Sequence, residues 1–83
     1  MSWCCYLLRC ADDTLYCGIT NDIAKRLAAH NAGTAAKYTR VRTPVELVFS
    51  EACDDRSSAS RREMAIKKLS REKKLALILA KSS

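Results

Sequence analysis

The chain has 83 residues, of which 48% are hydrophobic, and its net charge is +6. This length suits a single domain with one modest core, and the apolar fraction excludes wholesale disorder. No apolar run approaches the ~20 residues that a membrane span needs. Residues 1–8 show no basic segment followed by an apolar stretch and a cleavage site, so we expect no signal peptide and a cytoplasmic location.

Five cysteines are spread along the chain, and their number and spacing argue against both disulfides and zinc. The count is odd, which does not suit a disulfide framework. No Cys-x-x-Cys pair occurs and only one histidine is available, so a zinc site would lack its usual ligand spacing. We expect reduced thiols that serve as small buried residues in strands, at Cys4, Cys5, Cys10, Cys17 and Cys53.

The positive charge is concentrated in the last third of the chain. Residues 1–55 contain six Lys or Arg and seven Asp or Glu, whereas residues 56–83 contain nine Lys or Arg and two acids. A basic segment is typical of phosphate-binding proteins. A solvated helix face that keeps a small protein soluble has the same composition, so charge alone leaves both interpretations open.

The first twenty residues predict a β-hairpin. Residues 3–9 are a short apolar run with two aromatic residues, residues 10–14 read as a polar turn, and residues 15–20 read as a second strand. The elements predicted after it are a helix over residues 23–31, a loop over 34–43, a strand over 45–50, a helix ending at 69 and a helix ending near 80. Helix starts are marked by Asn21 and Asp22, by serines 57, 58 and 60, and by Ser70.

This order, β-β-α-β-α-α, indicates an α+β domain in which helices flank a small three-stranded antiparallel sheet. The register of the hairpin decides which side chains share a face. If Arg9 pairs with Leu15, then Tyr6, Tyr16 and Gly18 point the same way. Gly18 would then lie opposite Tyr6, where we expect it to leave open space for a ligand. The alternative is that both tyrosines are core residues.

Arg26 and His30 lie four residues apart on the first predicted helix, beside its apolar seam. A guanidinium in this place can reach into a cleft, and its fork of donors suits a phosphate. The alternative for Arg26 is a stem that covers the edge of the core. His30 is the single histidine; both a structural and a functional role are open for it.

Glu63 is the one acid between Asp55 and Glu72, within the most basic segment. It is either a surface partner of Lys67, four residues on, or a carboxylate that holds a hard divalent cation. Mg²⁺ is commonly bound by one or two protein carboxylates together with water and substrate phosphate.

These residues, in this order, resemble the GIY-YIG nuclease superfamily, and in particular its small stand-alone bacterial members. The resemblance covers about residues 3–75 of a single domain. It is carried by Tyr6, by Tyr16-Cys17-Gly18, by Arg26 with His30 on one helix, and by Glu63 on a later helix. The chain departs from the pattern at Cys4-Cys5-Tyr6, which keeps the tyrosine alone, and at Cys17, which replaces an isoleucine.

The resemblance implies hydrolysis of phosphodiester bonds with one divalent metal, Mg²⁺ or Mn²⁺, held by Glu63. In that picture Arg26 stabilises charge on the phosphate, and Tyr6, Tyr16 and His30 share proton transfer and positioning. Tyr6 is the better candidate for taking a proton from water, provided that cations lower its pKa. Contacts to the substrate are expected from Gly18, Lys37, Tyr38, Arg40 and Lys67.

Three functions follow as hypotheses. The first is an endonuclease whose substrate is DNA rather than RNA. The second is a nucleic-acid-binding module with little or no cleavage, and the third is a basic adaptor for an acidic protein. No membrane partner and no disulfide partner are expected.

Overall fold

A computed structural model describes residues 2–82 and, at Ser82, the backbone alone. Its elements are β1 (Trp3–Arg9), β2 (Leu15–Thr20), α1 (Ile23–Asn31), α2 (Lys37–Arg40), β3 (Glu46–Cys53), α3 (Arg56–Lys67) and α4 (Arg71–Ser82). The predicted order is confirmed apart from α2, which lies in the segment predicted as a loop. A four-residue helix spans barely one turn, so it shows no hydrophobic period in the sequence.

The three strands form one antiparallel sheet in the order β2-β1-β3. Arg9 pairs with Leu15 and Tyr6 pairs with Gly18, so the hairpin register on which the shared face depends is confirmed. β3 continues beyond its predicted end at residue 50 because its last residues pair with the start of β1, where Trp3 lies opposite Cys53. β2 is left as an edge strand.

Helices pack on both faces of this sheet. The even-numbered residues Tyr6 and Leu8 face α1, where Ile23 and Leu27 complete one apolar cluster. The odd-numbered residues of the hairpin face α3 and α4, and their cluster is centred on the fully buried Ile66. A residue of β1 or β2 therefore belongs to one helix layer or the other according to its place in the pleat.

The helix starts agree with the predictions at two of three places. The Asp22 carboxylate caps α1 by accepting a hydrogen bond from Lys25 N at 3.1 Å, and the Ser70 hydroxyl accepts one from Lys73 N at 3.2 Å. The serines predicted to cap α3 do not do so, because Asp55 accepts from Ser58 N at 2.7 Å. A carboxylate also interacts favourably with the positive end of the helix dipole, which a hydroxyl does not match.

All five cysteines carry free thiols, and Cys5, Cys10 and Cys17 are buried as predicted. The Sγ atoms of Cys5 and Cys17 lie 3.7 Å apart, beyond the length of a disulfide bond. Within residues 2–82, none of the helices is long and apolar enough to cross a membrane.

Candidate functional site

A buried tyrosine–histidine pair lies between the sheet and α1. Tyr6 is 1% exposed and His30 is 0% exposed, and the Tyr6 hydroxyl lies 2.9 Å from His30 Nε2. The partly exposed Tyr16 meets the same imidazole edge-on, with 5.1 Å between ring centroids. The structure therefore brings both tyrosines of the hairpin onto one histidine, as their shared face in the sheet requires.

The hydrogen bonds of Thr39, at the third position of α2, favour one tautomer of that histidine. Its buried hydroxyl lies 2.8 Å from His30 Nδ1 and donates to the carbonyl oxygen of Ala36 at 3.2 Å. Since a hydroxyl has one proton to donate, it accepts from His30, and Nδ1 therefore carries the ring proton. His30 Nε2 is then unprotonated and accepts a hydrogen bond from the Tyr6 hydroxyl, which gives the chain of bonds one direction.

The prediction that Gly18 leaves open space for a ligand is wrong, because the ring of Tyr6 fills that space. A Cβ at Gly18 would stand 2.5 Å from the Tyr6 hydroxyl oxygen and 2.7 Å from its Cζ. Such distances are too short for a real side chain, so only glycine lets the tyrosine ring cross β2. Gly18 thus affects the site indirectly. Because it has no side chain, the Tyr6 ring can extend across β2 at this position.

Burial and one cation set the protonation of this pair. Burial raises the pKa of Tyr6 to about 12, and the Arg26 guanidinium beside the hydroxyl offsets part of the rise. Burial also lowers the pKa of His30, and the charge of Arg26 adds to that effect. Arg26 acts in the expected direction but does not by itself bring the pKa of Tyr6 below its ordinary value, and the expected contribution of a metal ion stays a prediction.

The α2 region covers Tyr16 with a second stack. Tyr38 stacks against Tyr16 with 5.8 Å between centroids, and the Cζ of Arg42 lies over the Tyr38 ring, 4.1 Å from its centroid. Arg42 is held by Asp12, at 3.0 Å, and by the carbonyl oxygen of Tyr38. The Tyr38 ring is therefore engaged by both Tyr16 and Arg42, whereas Lys37 and Arg40 form no such ring contact and are exposed.

Glu63 lies on the other side of the sheet. Its carboxylate is 23% exposed and lies 3.6 Å from the Lys67 ammonium, so the salt bridge considered from the sequence is present. The Cys17 thiol and burial raise the pKa of Cys5, and the charge of Glu63 adds to that rise. Cys5 and Cys17 belong to the cluster under α3, so Glu63 adjoins the sheet face opposite to that of Tyr6 and His30.

The donor set for a divalent cation consists of this one carboxylate. Among residues 2–82, no group of three or more His, Cys, Asp or Glu side chains is arranged to hold a metal ion. A partly exposed carboxylate fits a Mg²⁺ site in which water and substrate phosphate supply the other ligands. It does not fit a site that the protein encloses by itself.

Concave surface is found on both sides of Arg26. One cavity of about 260 Å³ is lined by Asp22, Lys25 and Arg26, and another of about 280 Å³ by Trp3, Arg26 and Arg56, with Thr20 and Asn21 shared by the two. A larger cavity of about 520 Å³ lies beyond the far end of β1 and has Asp13 and Glu46 in its lining. Those carboxylates do not suit a phosphate ligand, so we place the candidate site at Arg26.

The sequence did not indicate Thr39, Arg42, Trp3 or Arg56 as part of the site. Thr39 lies within the stretch Lys37-Tyr38-Thr39-Arg40. The other three residues of this stretch are predicted to contact the substrate. Its role depends on the unpredicted helix α2, which turns its hydroxyl inward. The sequence signal for Thr39 is that this polar residue lies between two predicted substrate contacts, Tyr38 and Arg40.

Comparisons with known proteins show the family to which the chain belongs. The family model described as the GIY-YIG catalytic domain matches residues 2–76. UPF0213 protein DP2720 of Desulfotalea psychrophila is 52% identical over 80 residues, which are 95% of this chain and 73% of that protein. UPF0213 protein NP_0776A of Natronomonas pharaonis is 56% identical over 73 residues, covering 88% of this chain and 86% of that protein.

A solved structure is similar as well. The solution NMR structure of the UPF0213 protein BH0048 from Bacillus halodurans superposes with a TM-score of 0.63 at 41% identity, covering 98% of this chain and 86% of the other. The names of these relatives state no activity. The family model and the shared fold establish that the chain belongs to the GIY-YIG family of nuclease domains.

Proposed function

We propose that this protein is a divalent-metal-dependent endonuclease that hydrolyses phosphodiester bonds, with DNA as its substrate. The observation that carries the proposal is the hydrogen-bonded chain from Tyr6 to His30 beside the guanidinium of Arg26, which contacts the Tyr6 hydroxyl but forms no ion pair among residues 2–82. A hydrolase needs a proton acceptor and a positive charge at the same phosphate. The family membership supplies the reaction class.

In this proposal Tyr6 and His30 work as a pair. Tyr6 has a raised pKa and is a poor base by itself, but its proton already points at the unprotonated His30 Nε2. As Tyr6 takes a proton from the attacking water, it passes its own proton to His30. Tyr16, in contact with the His30 ring and partly exposed, positions the water or the phosphate.

Arg26 and Glu63 have separate tasks. Arg26 is exposed and forms no ion pair with a carboxylate among residues 2–82, so its guanidinium is available to a phosphate. Glu63 would hold the cation, whose chemistry there is to neutralise negative charge on the scissile phosphate. Because Glu63 adjoins the opposite sheet face, the substrate has to pass around the exposed edge of β2. Lys37, Arg40 and Lys67 are proposed contacts to its backbone.

A binding module without cleavage is the second candidate. The observation in its favour is that Glu63 is already paired with Lys67 and adjoins the sheet face opposite to that of Tyr6 and His30. In that case the basic surface holds nucleic acid, but no carboxylate acts at the phosphate beside Arg26.

The test compares cleavage by matched variants. Labelled single-stranded, duplex and branched DNA, with an RNA of the same sequence, are incubated with the protein and Mg²⁺, Mn²⁺ or EDTA. We expect cleavage of DNA that stops in EDTA and that falls on the order of 10²-fold or more in Glu63→Ala and Arg26→Ala. Glu72→Ala and Arg61→Ala remove the same charges from exposed positions on α4 and α3 and should cut like the parent protein.

The outcomes separate the candidates. Cleavage that persists in both Glu63→Ala and Arg26→Ala would come from a contaminant and would refute the nuclease proposal. Binding without cleavage, unchanged by Glu63→Ala, would establish the module. The absence of nucleic-acid binding even at low salt, where phosphate binding is strongest, would leave the adaptor hypothesis.

A further inference from the structure

The cavity of about 280 Å³ at the end of β2 joins the two sides of the site. Trp3, Ile19 and Arg56 line it from the face that carries α3, and Arg26 lines it from the side of α1. It therefore passes around the end of the edge strand that separates Arg26 from α3. The cavity therefore offers a path around the edge strand β2 for a substrate strand that reaches both Arg26 and Glu63.

The two arginines of this cavity differ from most others in the chain. Arg9, Arg42, Arg62 and Arg71 each contact a carboxylate within 4.0 Å. Within the described part of the chain, Arg26 and Arg56 form no such pair. Two guanidinium groups that share one cavity without a counter-charge repel each other, and a phosphate relieves that repulsion.

The cavity also contains an aromatic ring. Arg56 lies over the ring of Trp3, with 5.8 Å between its Cζ and the ring centroid, near the outer limit of a cation–π contact. Trp3 is partly exposed. An aromatic face next to cationic side chains is the combination that binds unpaired bases, since the base stacks while the cation holds its phosphate.

The helix α3 connects this cavity to Glu63. Arg56 and Glu63 are seven residues apart, so they lie on nearly the same face of the helix and about 10 Å apart along its axis. The same helix face therefore leads from the cavity to the residue proposed to hold the cation.

We propose that this cavity binds one nucleotide of the substrate strand, with its unpaired base stacked on Trp3 and its phosphate held by Arg56 next to Arg26. The inference rests on the proposed function and adds a substrate class to it, a strand with an unpaired base near the cleavage point. A base inside a duplex offers no free face to Trp3, so the site favours single-stranded or branched substrates.

Trp3 provides a direct readout because it is the one tryptophan of the chain. The unmodified protein is titrated in EDTA, where nothing is cut, with a single-stranded DNA oligonucleotide, the matching RNA and the matching duplex. Binding is followed by fluorescence anisotropy of a labelled strand and, separately, by the emission of Trp3. We expect the single strands to quench Trp3 over the same concentration range in which they bind, and the duplex to bind without equal quenching.

Variants then locate the phosphate contact. Arg56→Ala and Trp3→Ala should each weaken single-strand binding by about tenfold, and Arg61→Ala, five residues further along α3, should leave it unchanged. Circular dichroism checks that each variant is folded, and the quenching experiment needs no variant. Quenching by DNA and RNA alike supports stacking of the base, whereas a preference for one of them shows which strand the site takes.

Two results would overturn the inference in different ways. Binding of single strands without any change in Trp3 emission, or with Arg56→Ala as tight as Arg61→Ala, removes the nucleotide site and leaves the proposed nuclease in place. A failure of every nucleic acid to bind at low salt overturns the nucleotide site together with the proposed function.

Discussion

The place that Gly18 leaves free on β2 is taken by the ring of Tyr6. We expect Gly18→Ala to destabilise the protein by about 1–2 kcal/mol, because the new Cβ would displace a ring that is almost fully buried. The gain in strand propensity from alanine offsets a part of that cost. Urea unfolding measures the change.

A double-mutant cycle assigns this cost to its cause. In a Tyr6→Ala background the ring is gone, so Gly18→Ala should cost much less there, with a contact to Tyr16 Cε2 at 3.2 Å remaining. An equal cost in both backgrounds would show that Tyr6 is not the cause and that the contact with Tyr16 requires glycine.

Thr39 is expected to control the tautomer of His30. In ¹⁵N NMR spectra of the protein, whose single histidine gives an unambiguous signal, Nδ1 should appear protonated and Nε2 unprotonated. Thr39→Val removes the acceptor for Nδ1 and leaves a buried donor unpaired, at a cost of about 1–3 kcal/mol. We expect the Nδ1–H tautomer to lose population in this variant.

Thr39→Ser is the control, since it keeps the hydroxyl. It should restore the tautomer and most of the stability. If Thr39→Val shows the tautomer of the unmodified protein, then Thr39 packs beside His30 without orienting it.

The buried His30 makes stability depend on pH. Burial, with help from Arg26, lowers its pKa below the ordinary value of 6.5. The unfolded chain therefore binds more protons than the native state below about pH 6.5, so stability is fully present above that pH and is lost as the pH falls through the native pKa. Urea unfolding at about pH 7.5 and pH 5.5 should show this loss in the parent protein.

His30→Asn lacks the titrating ring and should show a flatter profile between these two pH values, although it starts from a lower stability. Equal slopes for the two proteins would mean that His30 titrates alike in the folded and unfolded states.

Which site residues the sequence reveals depends on where their partners lie along the chain. Strand alternation and the hairpin register predict that Tyr6 and Tyr16 share a face, and helical spacing predicts that Arg26 and His30 are neighbours. Their proposed roles come from the family resemblance. Thr39 acts on His30 from nine residues further along, through a helix of one turn. That contact is set by tertiary packing, which no local pattern encodes.

At the level of elements, Asp22 offers a test of the cap of α1, the helix that carries Arg26 and His30. We expect Asp22→Ala to destabilise the protein by about 1 kcal/mol, since the Lys25 N–H loses its partner at the helix start. Asp22→Asn keeps an acceptor oxygen and should cost a few tenths of a kcal/mol at most. The midpoints of thermal or urea unfolding compare the two.

Asn21→Ala, one residue earlier, changes a residue that does not cap the helix and should be close to neutral. A loss in this variant as large as that in Asp22→Ala would mean that the turn between β2 and α1 is held by other contacts.

The bounds of a helix or strand could be predicted from the sequence where the element is long enough to show its hydrophobic period. The hairpin strands and α1 have the bounds that the sequence predicts, because each spans enough residues to show its period. The four-residue helix α2 is too short to show a period and was not predicted. β3 extends beyond its apolar run because its pairing with β1 continues through polar residues such as Glu51. The start of α3 was misplaced because several good capping residues follow one another there, from Asp54 to Ser60.

For the whole molecule, the basic residues fall into two groups that lie near different strands of the sheet. The charges of α4 lie on a helix that packs against β3, the strand on the other side of β1 from β2. Arg26 and Arg56 instead line a cavity at the end of β2. If the proposed nucleotide site is correct, the net charge of +6 contains a part that binds phosphate and a part that only solvates the protein.

Salt dependence distinguishes these two parts. The logarithm of the binding constant for nucleic acid falls linearly with the logarithm of the salt concentration, and each phosphate contact contributes nearly one unit to the slope. Arg26→Gln with Arg56→Gln removes two charges from the site and should lower the slope by roughly two units. Lys73→Gln with Lys81→Gln removes the same charge from exposed positions on α4 and should leave the slope unchanged. Equal losses in the two double variants would mean that the protein attracts nucleic acid by its total charge, in which case the cavity at the end of β2 gives no preferred path for the strand.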